Sequence, residues 1–235
     1  MKVVFVECLN DYRTLFTSSL FLRSFLQHHG IEATIVQVSA ENREARLREV
    51  AASKPDVVGF SVDACNVPDA TSFARDLKRQ HECFVVFGGP EPTLFPQEVI
   101  THHPFVDCVC VGEGEFTTLE LLQRLEKNEP VDAIAGTVVR HNDAAKSNPR
   151  RPLIKDLDEL PFPKITPQDY FPGYPLFTSR GCPYECVFCL VSQLYASRMW
   201  RARSAECVVV EILHAKALGF SRVIVYDDAF NIDLK

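Results

Sequence analysis

Nowhere in this sequence does an apolar run approach the roughly 18 residues that a membrane-spanning helix requires. The opening MKVVFVECLN is too short an apolar stretch for a secretory signal peptide. Positive charge is also in short supply: 25 Lys and Arg stand against 31 Asp and Glu, and the formal charge of −6 argues against a nucleic-acid partner. One basic run, residues 198–203, interrupts that balance and reads either as a solvated loop or as partners for internal carboxylates. Nine cysteines form an odd set, too sparse in 235 residues for a disulfide framework, so a reducing compartment, the cytoplasm, is expected. Disorder is excluded as well: 46% of residues are hydrophobic and 24% charged, ordinary values for one large or two small globular domains.

What is present, over the first 130 or so residues, is an alternation of short β-rich runs and amphipathic stretches. Residues 2–8, 33–38, 56–62, 84–87 and 108–111 are short, branched and apolar, as the buried strands of a parallel sheet are. Residues 17–29, 41–53, 68–81, 93–103 and 115–128 have helical periodicity or composition, with Val67, Ala70, Phe73, Ala74 and Leu77 marking one face. The pattern predicts a five-stranded, doubly wound, Rossmann-like α/β domain. Ligands of such sheets lie outside the carboxyl ends of the strands, and the residues expected there are small. Ser61 follows the third strand, Gly88-Gly89-Pro90 the fourth, and Gly112-Glu113-Gly114-Glu115 the fifth. Glycines at these positions let a ligand approach the backbone and free amides for hydrogen bonding. Taken singly, each reads more simply as a tight turn or a helix cap.

Residues 125–148 add a helix end, a connector and a small hairpin with a turn at 141–143. Residues 150–175 carry Pro152, Pro161, Pro163, Pro167, Pro172 and Pro175, which disfavours helix and suits an extended connector or a generic tether. Beyond it, a strand at 175–179, an N-cap at Ser204, a helix at 206–218 and a strand at 222–226 predict a βαβ unit of a parallel barrel.

Between that first strand and the helix lies the run SRGCPYECVFC, residues 179–189. Its thiols Cys182, Cys186 and Cys189 converge on one centre only if the chain wraps into a tight loop, which Gly181 and Pro183 favour. Three thiolates are one short of the four that a [4Fe–4S] cluster takes, so one iron is left for a ligand that is not protein. The alternatives are a structural zinc site or unrelated core thiols; a closed zinc site needs a fourth ligand, and Cys207 and His214 fall in a separate amphipathic segment.

The spacing CxxxCxxC, with Phe188 before its last cysteine, resembles the signature loop of the radical S-adenosylmethionine (SAM) enzymes. That resemblance implies that Cys182, Cys186 and Cys189 hold the cluster and that SAM chelates the open iron. It implies also that Phe188 lies near the adenine, the alternative for Phe188 being core packing. Asp227 and Asp228, after the second strand of the unit, stand where the family holds the SAM amino group; otherwise they are a turn or a helix cap. The stretches VVFGGPEPTLFP (85–96) and VDCVCVGEGEFTTLELL (106–122) are similar to the cobalamin-binding domain that precedes the barrel in one subclass. DELPFP (158–163) is similar to that subclass's linker. By this resemblance Ser61, Gly88, Gly89, Gly112 and Gly114 line the corrin and its nucleotide tail. The Asp-x-His-x-x-Gly motif that supplies an axial histidine elsewhere is absent, residues 10–15 reading NDYRTL, and His28 and His29 read as helix-end residues.

The expected organisation is a cobalamin-binding domain at 1–140, a hairpin and linker at 141–175, and at 176–235 the start of a radical SAM barrel, truncated because only two of its strands are present. The resemblance implies a cobalamin-dependent radical SAM enzyme, methyltransferase-like, with a [4Fe–4S] cluster, SAM and cobalamin. Its implied partners are a small-molecule substrate and a flavodoxin- or ferredoxin-like electron donor, with neither nucleic acid nor membrane. A radical SAM enzyme with a vestigial N-terminal domain, and a non-catalytic cobalamin-binding protein, are the alternatives.

Overall fold

The computed structural model describes residues 1–9, 17–142, 144–167 and 173–232, and the chain forms two compact units, Met1–Pro152 and Leu153–Lys235. In the first, β1 (Val3–Cys8), α1 (Thr17–His28), β2 (Ala33–Val38), α2 (Arg43–Ala52), β3 (Val57–Ser61), α3 (Val67–Gln80) and β4 (Phe84–Gly88) alternate strictly. Then come α4 (Pro90–Leu94), α5 (Pro96–His102), β5 (Cys108–Cys110), α6 (Glu115–Glu126) and the strands β6 (Thr137–His141) and β7 (Ala144–Ser147). The strand order is β2-β1-β3-β4-β5-β6-β7, parallel through β5 and antiparallel beyond it.

Alternating side chains cover both faces of this sheet. Val4, Val6, Val58, Phe60, Val85 and Phe87 pack against Leu47 and Val50 of α2, Phe73 and Leu77 of α3, and Ile100 of α5. On the other face α1 meets α6, with the rings of Phe25 and Phe116 5.1 Å apart and edge to face. The ring edge of Phe5 lies against its register partner Gly59, where a β-carbon would come within 2.7 Å of it.

The five parallel strands and the doubly wound class agree with the sequence expectation, while two local features differ. The helix expected over 93–103 is two short helices broken at Phe95 (φ −127°, ψ 50°), because Pro96 disfavours helical geometry in the residue before it. The hairpin, expected in a connector, extends the same sheet: β6 pairs with β5 from Cys110↔Thr137 to Cys108↔Val139 and covers what would otherwise be an open edge. Asp143, which the sequence places in the turn expected at 141–143, lies outside the described residues, as does Pro172.

The second unit contains β8 (Tyr174–Leu176), β9 (Ser179–Arg180), α7 (Val191–Tyr195), β10 (Arg201–Ala202), α8 (Ala205–Ala217) and β11 (Val223–Val225), with a 3₁₀ turn at Leu157–Glu159. β8 and β11 pair in parallel, Tyr174↔Val223 to Leu176↔Val225, and α8 joins them as the expected βαβ unit. Ser204 caps α8 by accepting the amide of Cys207 at 3.1 Å. The strand expected over 175–179 stops at Leu176, and Ser179–Arg180 instead pairs antiparallel with Arg201–Ala202.

The proline-rich segment 153–163 is built into this unit. Arg203 donates to the carbonyl of Leu160 at 2.7 Å and to the fully buried carboxylate of Glu211, and stacks 5.3 Å over the Phe162 ring. Tyr174 donates to the other Glu211 oxygen at 3.0 Å, the Ser204 amide donates to Asp158 at 3.0 Å, and Arg201 donates to the Ile154 carbonyl. Arg198 pairs with Glu185. The basic run therefore serves internal partners.

One buried charge in the first unit makes stability depend on pH. Glu7 is 1% exposed, and burial pushes its carboxyl from 4.5 up to about 7, against hydrogen bonds from Gln37 and Ser19 and the charge of Arg23. Its pKa being higher in the folded state, its contribution is fully present below about pH 4.5 and is lost as pH rises through 7. Glu7→Gln is therefore expected to gain about 2 kcal/mol relative to wild type between pH 5 and pH 8, read from urea unfolding at the two values. An offset that does not change with pH would contradict this.

Candidate functional site

The order β2-β1-β3-β4-β5 reverses direction at β1, so the crevice for a ligand opens beyond the carboxyl ends of β1 and β3. Ser61 ends β3, and its hydroxyl is 2.8 Å from that of Ser18 on α1. Glu7 and Ser61 each lie one residue past the last register pair, Val6↔Phe60, so the buried carboxyl sits at the same rim. Asn66, fully buried, ties the strand ends together: its amide donates to the carbonyls of Ser61 (3.0 Å) and Cys8 (3.4 Å), and its oxygen accepts from the amide of Asp63 (2.9 Å). Residues 10–16, which include the position of the absent histidine motif, lie outside the described residues.

The four glycines of the rim divide by what surrounds them. Gly89 (φ +102°) is packed shut: a β-carbon there would stand 2.6 Å from the carbonyl oxygen of Val62. Its neighbours hold that closure, since Val62 donates to the Gly88 carbonyl at 2.8 Å and Glu91 to the Val62 carbonyl at 3.2 Å. Gly112 (φ +82°) has nothing within 4 Å of its β-carbon position, Gly114 only the Thr118 hydroxyl at 3.8 Å, and Gly88 the side chain of Cys110 at 3.7 Å. Thr93, buried on α4, accepts the Gly112 amide at 3.1 Å and sets the loop after β5. The open space at Gly112 and Gly114, at the carboxyl end of β5, lets a ligand come close to the backbone there, whereas Gly89 serves the fold. Asn66 and Thr93 escape sequence reasoning, the only hint being the Asp63–Asn66 spacing of a polar turn.

In the second unit the cysteines occupy a loop that leaves β9 and returns at β10. Gly181 (φ +86°) opens it, and its β-carbon position is 2.2 Å from the carbonyl oxygen of Met199, so the two arms touch there and only glycine is accommodated. Cys182 and Cys189 are partly exposed and Cys186 is exposed, all three thiols are free, and the Cys189 amide donates to the Cys186 carbonyl at 2.9 Å. Phe188 is 86% exposed, which rejects core packing for it. No group of three or more His, Cys, Asp or Glu side chains is gathered as metal ligands among the described residues, so the sulfurs are close in sequence but not drawn together. The donor set itself, three free and accessible soft thiols on one irregular loop, fits an iron–sulfur cluster.

Asp227 and Asp228 follow β11 and face the base of this loop. Asp227 accepts the amides of Thr178 (2.7 Å) and Ser179 (3.2 Å), the Ser179 hydroxyl (2.9 Å) and the Thr178 hydroxyl. Asp228 accepts the Gly181 amide at 3.0 Å. Asp227, half-buried, is thus held by two amides and two hydroxyls of the loop base, while Asp228 is exposed and tied to it by a single amide.

Comparison with known proteins matches this architecture. Residues 17–122 match the family model of the B12 binding domain. An uncharacterized methyltransferase of Pyrococcus horikoshii is 37% identical over 191 residues, 77% of this chain and 41% of that protein. The cobalamin-dependent radical SAM methyltransferase TokK of Streptomyces tokunonensis is 30% identical over 204 residues, 80% of this chain and 30% of that protein. Among solved structures, the radical SAM methyltransferase TsrM of Kitasatospora setae, with tryptophan and a SAM analogue bound, matches with a TM-score of 0.83 at 18% identity. That match covers 100% of this chain and 49% of TsrM, a likeness of fold. The chain thus spans less than half the length of each of these proteins.

The first unit is a B12-binding α/β domain. The resemblance to the cobalamin-dependent radical SAM family is borne out by these matches, and the relatives named here are methyltransferases. No helix among the described residues is long and apolar enough to cross a membrane.

The two kinds of rim glycine respond differently to a side chain. Gly89→Ala is expected to destabilise the chain by about 2–4 kcal/mol, since left-handed strain adds to a clash with backbone. Gly112→Ala, facing open space, should cost about 1 kcal/mol from strain alone and yet weaken cobalamin binding at least tenfold. Chemical unfolding and a cobalamin titration by absorbance of each variant check the pair.

Proposed function

We propose that this chain is the cofactor-binding part of a cobalamin-dependent radical SAM methyltransferase, reducing SAM at a [4Fe–4S] cluster to act on an unactivated carbon of a small molecule. The observation that carries the reading is the triad Cys182, Cys186 and Cys189 on the loop beyond β8, in the same chain as the B12-binding unit. When bound, the cluster with SAM supplies a 5′-deoxyadenosyl radical and cobalamin a transferable methyl group, with electrons from a flavodoxin- or ferredoxin-like donor. The protein's own part is placement. Gly112 and Gly114 leave room for the corrin to lie against backbone, and Ser61 offers a hydroxyl at the switch point. The three thiols offer cluster ligands, and the exposed Phe188 offers a flat apolar surface for the adenine beside them.

Anaerobic reconstitution with iron and sulfide is expected to give roughly four irons per chain, with the charge-transfer absorption of a cluster. The triple variant Cys182→Ala, Cys186→Ala, Cys189→Ala is expected to take up none while still binding one cobalamin. Iron uptake that ignores the three cysteines would remove the radical SAM reading. Cobalamin binding without any iron in the wild-type chain would favour a non-catalytic cobalamin-binding protein, and iron without cobalamin a vestigial first unit.

A further inference from the structure

The cysteine loop has a weak natural closure. Its arms are joined by a two-residue antiparallel ladder, Ser179↔Ala202 and Arg180↔Arg201, and by the contact of Gly181 with Met199. A ladder this short is marginal by itself, and the residues between its strands lose loop-closure entropy when their ends are pinned. Something else must hold the arms. The segment after β11 touches both: Asp227 receives the amides and hydroxyls of Thr178 and Ser179, and Asp228 the amide of Gly181, on the outgoing arm. On the returning arm the indole N–H of Trp200 donates to the Ala229 carbonyl at 3.0 Å, and that carbonyl also accepts the Ser179 hydroxyl at 3.2 Å. Three consecutive residues at the end of one strand thus bridge the two ends of a loop that begins after another.

We propose that Asp227 and Asp228 are positioning residues, a carboxylate clamp that fixes the base of the cysteine loop so that Cys182, Cys186 and Cys189 can close on one cluster. The inference rests on the cluster reading above, and it differs from assigning the two aspartates to the SAM amino group. Asp227 in particular has its carboxylate oxygens aimed at main-chain and hydroxyl donors of the loop base. A clamp of this kind acts before any cofactor arrives, which separates it from a ligand contact.

The test uses the full chain in two states. Without iron, amide hydrogen exchange is measured in wild type, Asp227→Ala and Asp228→Ala. Exchange at Thr178 and Ser179 should rise at least tenfold in Asp227→Ala and at Gly181 in Asp228→Ala, with Val58 and Phe87 of the first unit unchanged. After reconstitution, both variants should hold less than half the wild-type iron and show a broadened electron paramagnetic resonance signal in the reduced state. Unchanged exchange, or normal iron with a normal signal, overturns the proposal. So does a variant with a normal cluster signal that has lost only the spectral change on adding SAM, the behaviour of a direct SAM ligand. If Asp227→Ala does not fold, Asp228→Ala, which removes a single contact, carries the same test. A wild-type chain that takes up no iron overturns the cluster reading and with it the purpose of the clamp, while exchange still reports whether the clamp exists.

Discussion

Parallel pairing buries the main chain along the strands and leaves each strand end with polar groups that need partners where the layer stops. Both units of this chain are organised around that requirement. In the first, Asn66 satisfies the carbonyls at the ends of β1 and β3, while Thr93 takes the amide of Gly112 after β5. In the second, Asp227 and Asp228 at the end of β11 take the amides that follow β8. Above Gly112 and Gly114, by contrast, the backbone faces open space.

The same economy explains the buried polar core of the second unit. Tyr174, Arg203 and Glu211 lie on β8, just before α8 and on α8, and meet around one carboxylate. Burial pushes the Glu211 carboxyl up, and the Arg203 guanidinium and the Tyr174 hydroxyl hold it down. A pair of this kind is costly to desolvate, and breaking it by removing one partner is worse than never having it. Its second contribution is attachment, because Arg203 also binds the Leu160 carbonyl and covers Phe162. Residues 153–163, which composition reads as part of an extended proline-rich connector, are therefore packed chain.

Much of the fold is legible in the sequence because it is set by local periodicity. The five parallel strands are short branched runs, α3 has one apolar face, and Ser204 is an N-cap residue placed before a helix. What is not legible depends on partners far away. The hairpin residues 137–147 look the same whether they stand alone or add to a sheet, and only the free edge of β5 decides. The split at Phe95 was readable from Pro96 and was overridden by the apolar pattern around it. At the site, the cysteine triad is recognisable from spacing alone, and so are the small residues at the rim. The roles inside that set are not: Gly89 and Gly112 are the same residue type, and only the position of Val62 makes one structural and leaves the other facing space. Asp227 likewise reads as a charge awaiting a ligand until Thr178 and Ser179 are placed beside it.

The attachment of residues 153–163 to the second unit bears on how this protein can be taken apart. Cutting just before β8, where the sequence suggests that a new domain starts, would strip Arg203 of the Leu160 carbonyl, Ser204 of Asp158 and Arg201 of the Ile154 carbonyl. Buried guanidinium groups would then face vacated space at the foot of α8. A cut after Pro152 leaves each of these pairings intact, so the covalent seam between the two modules lies more than twenty residues ahead of β8.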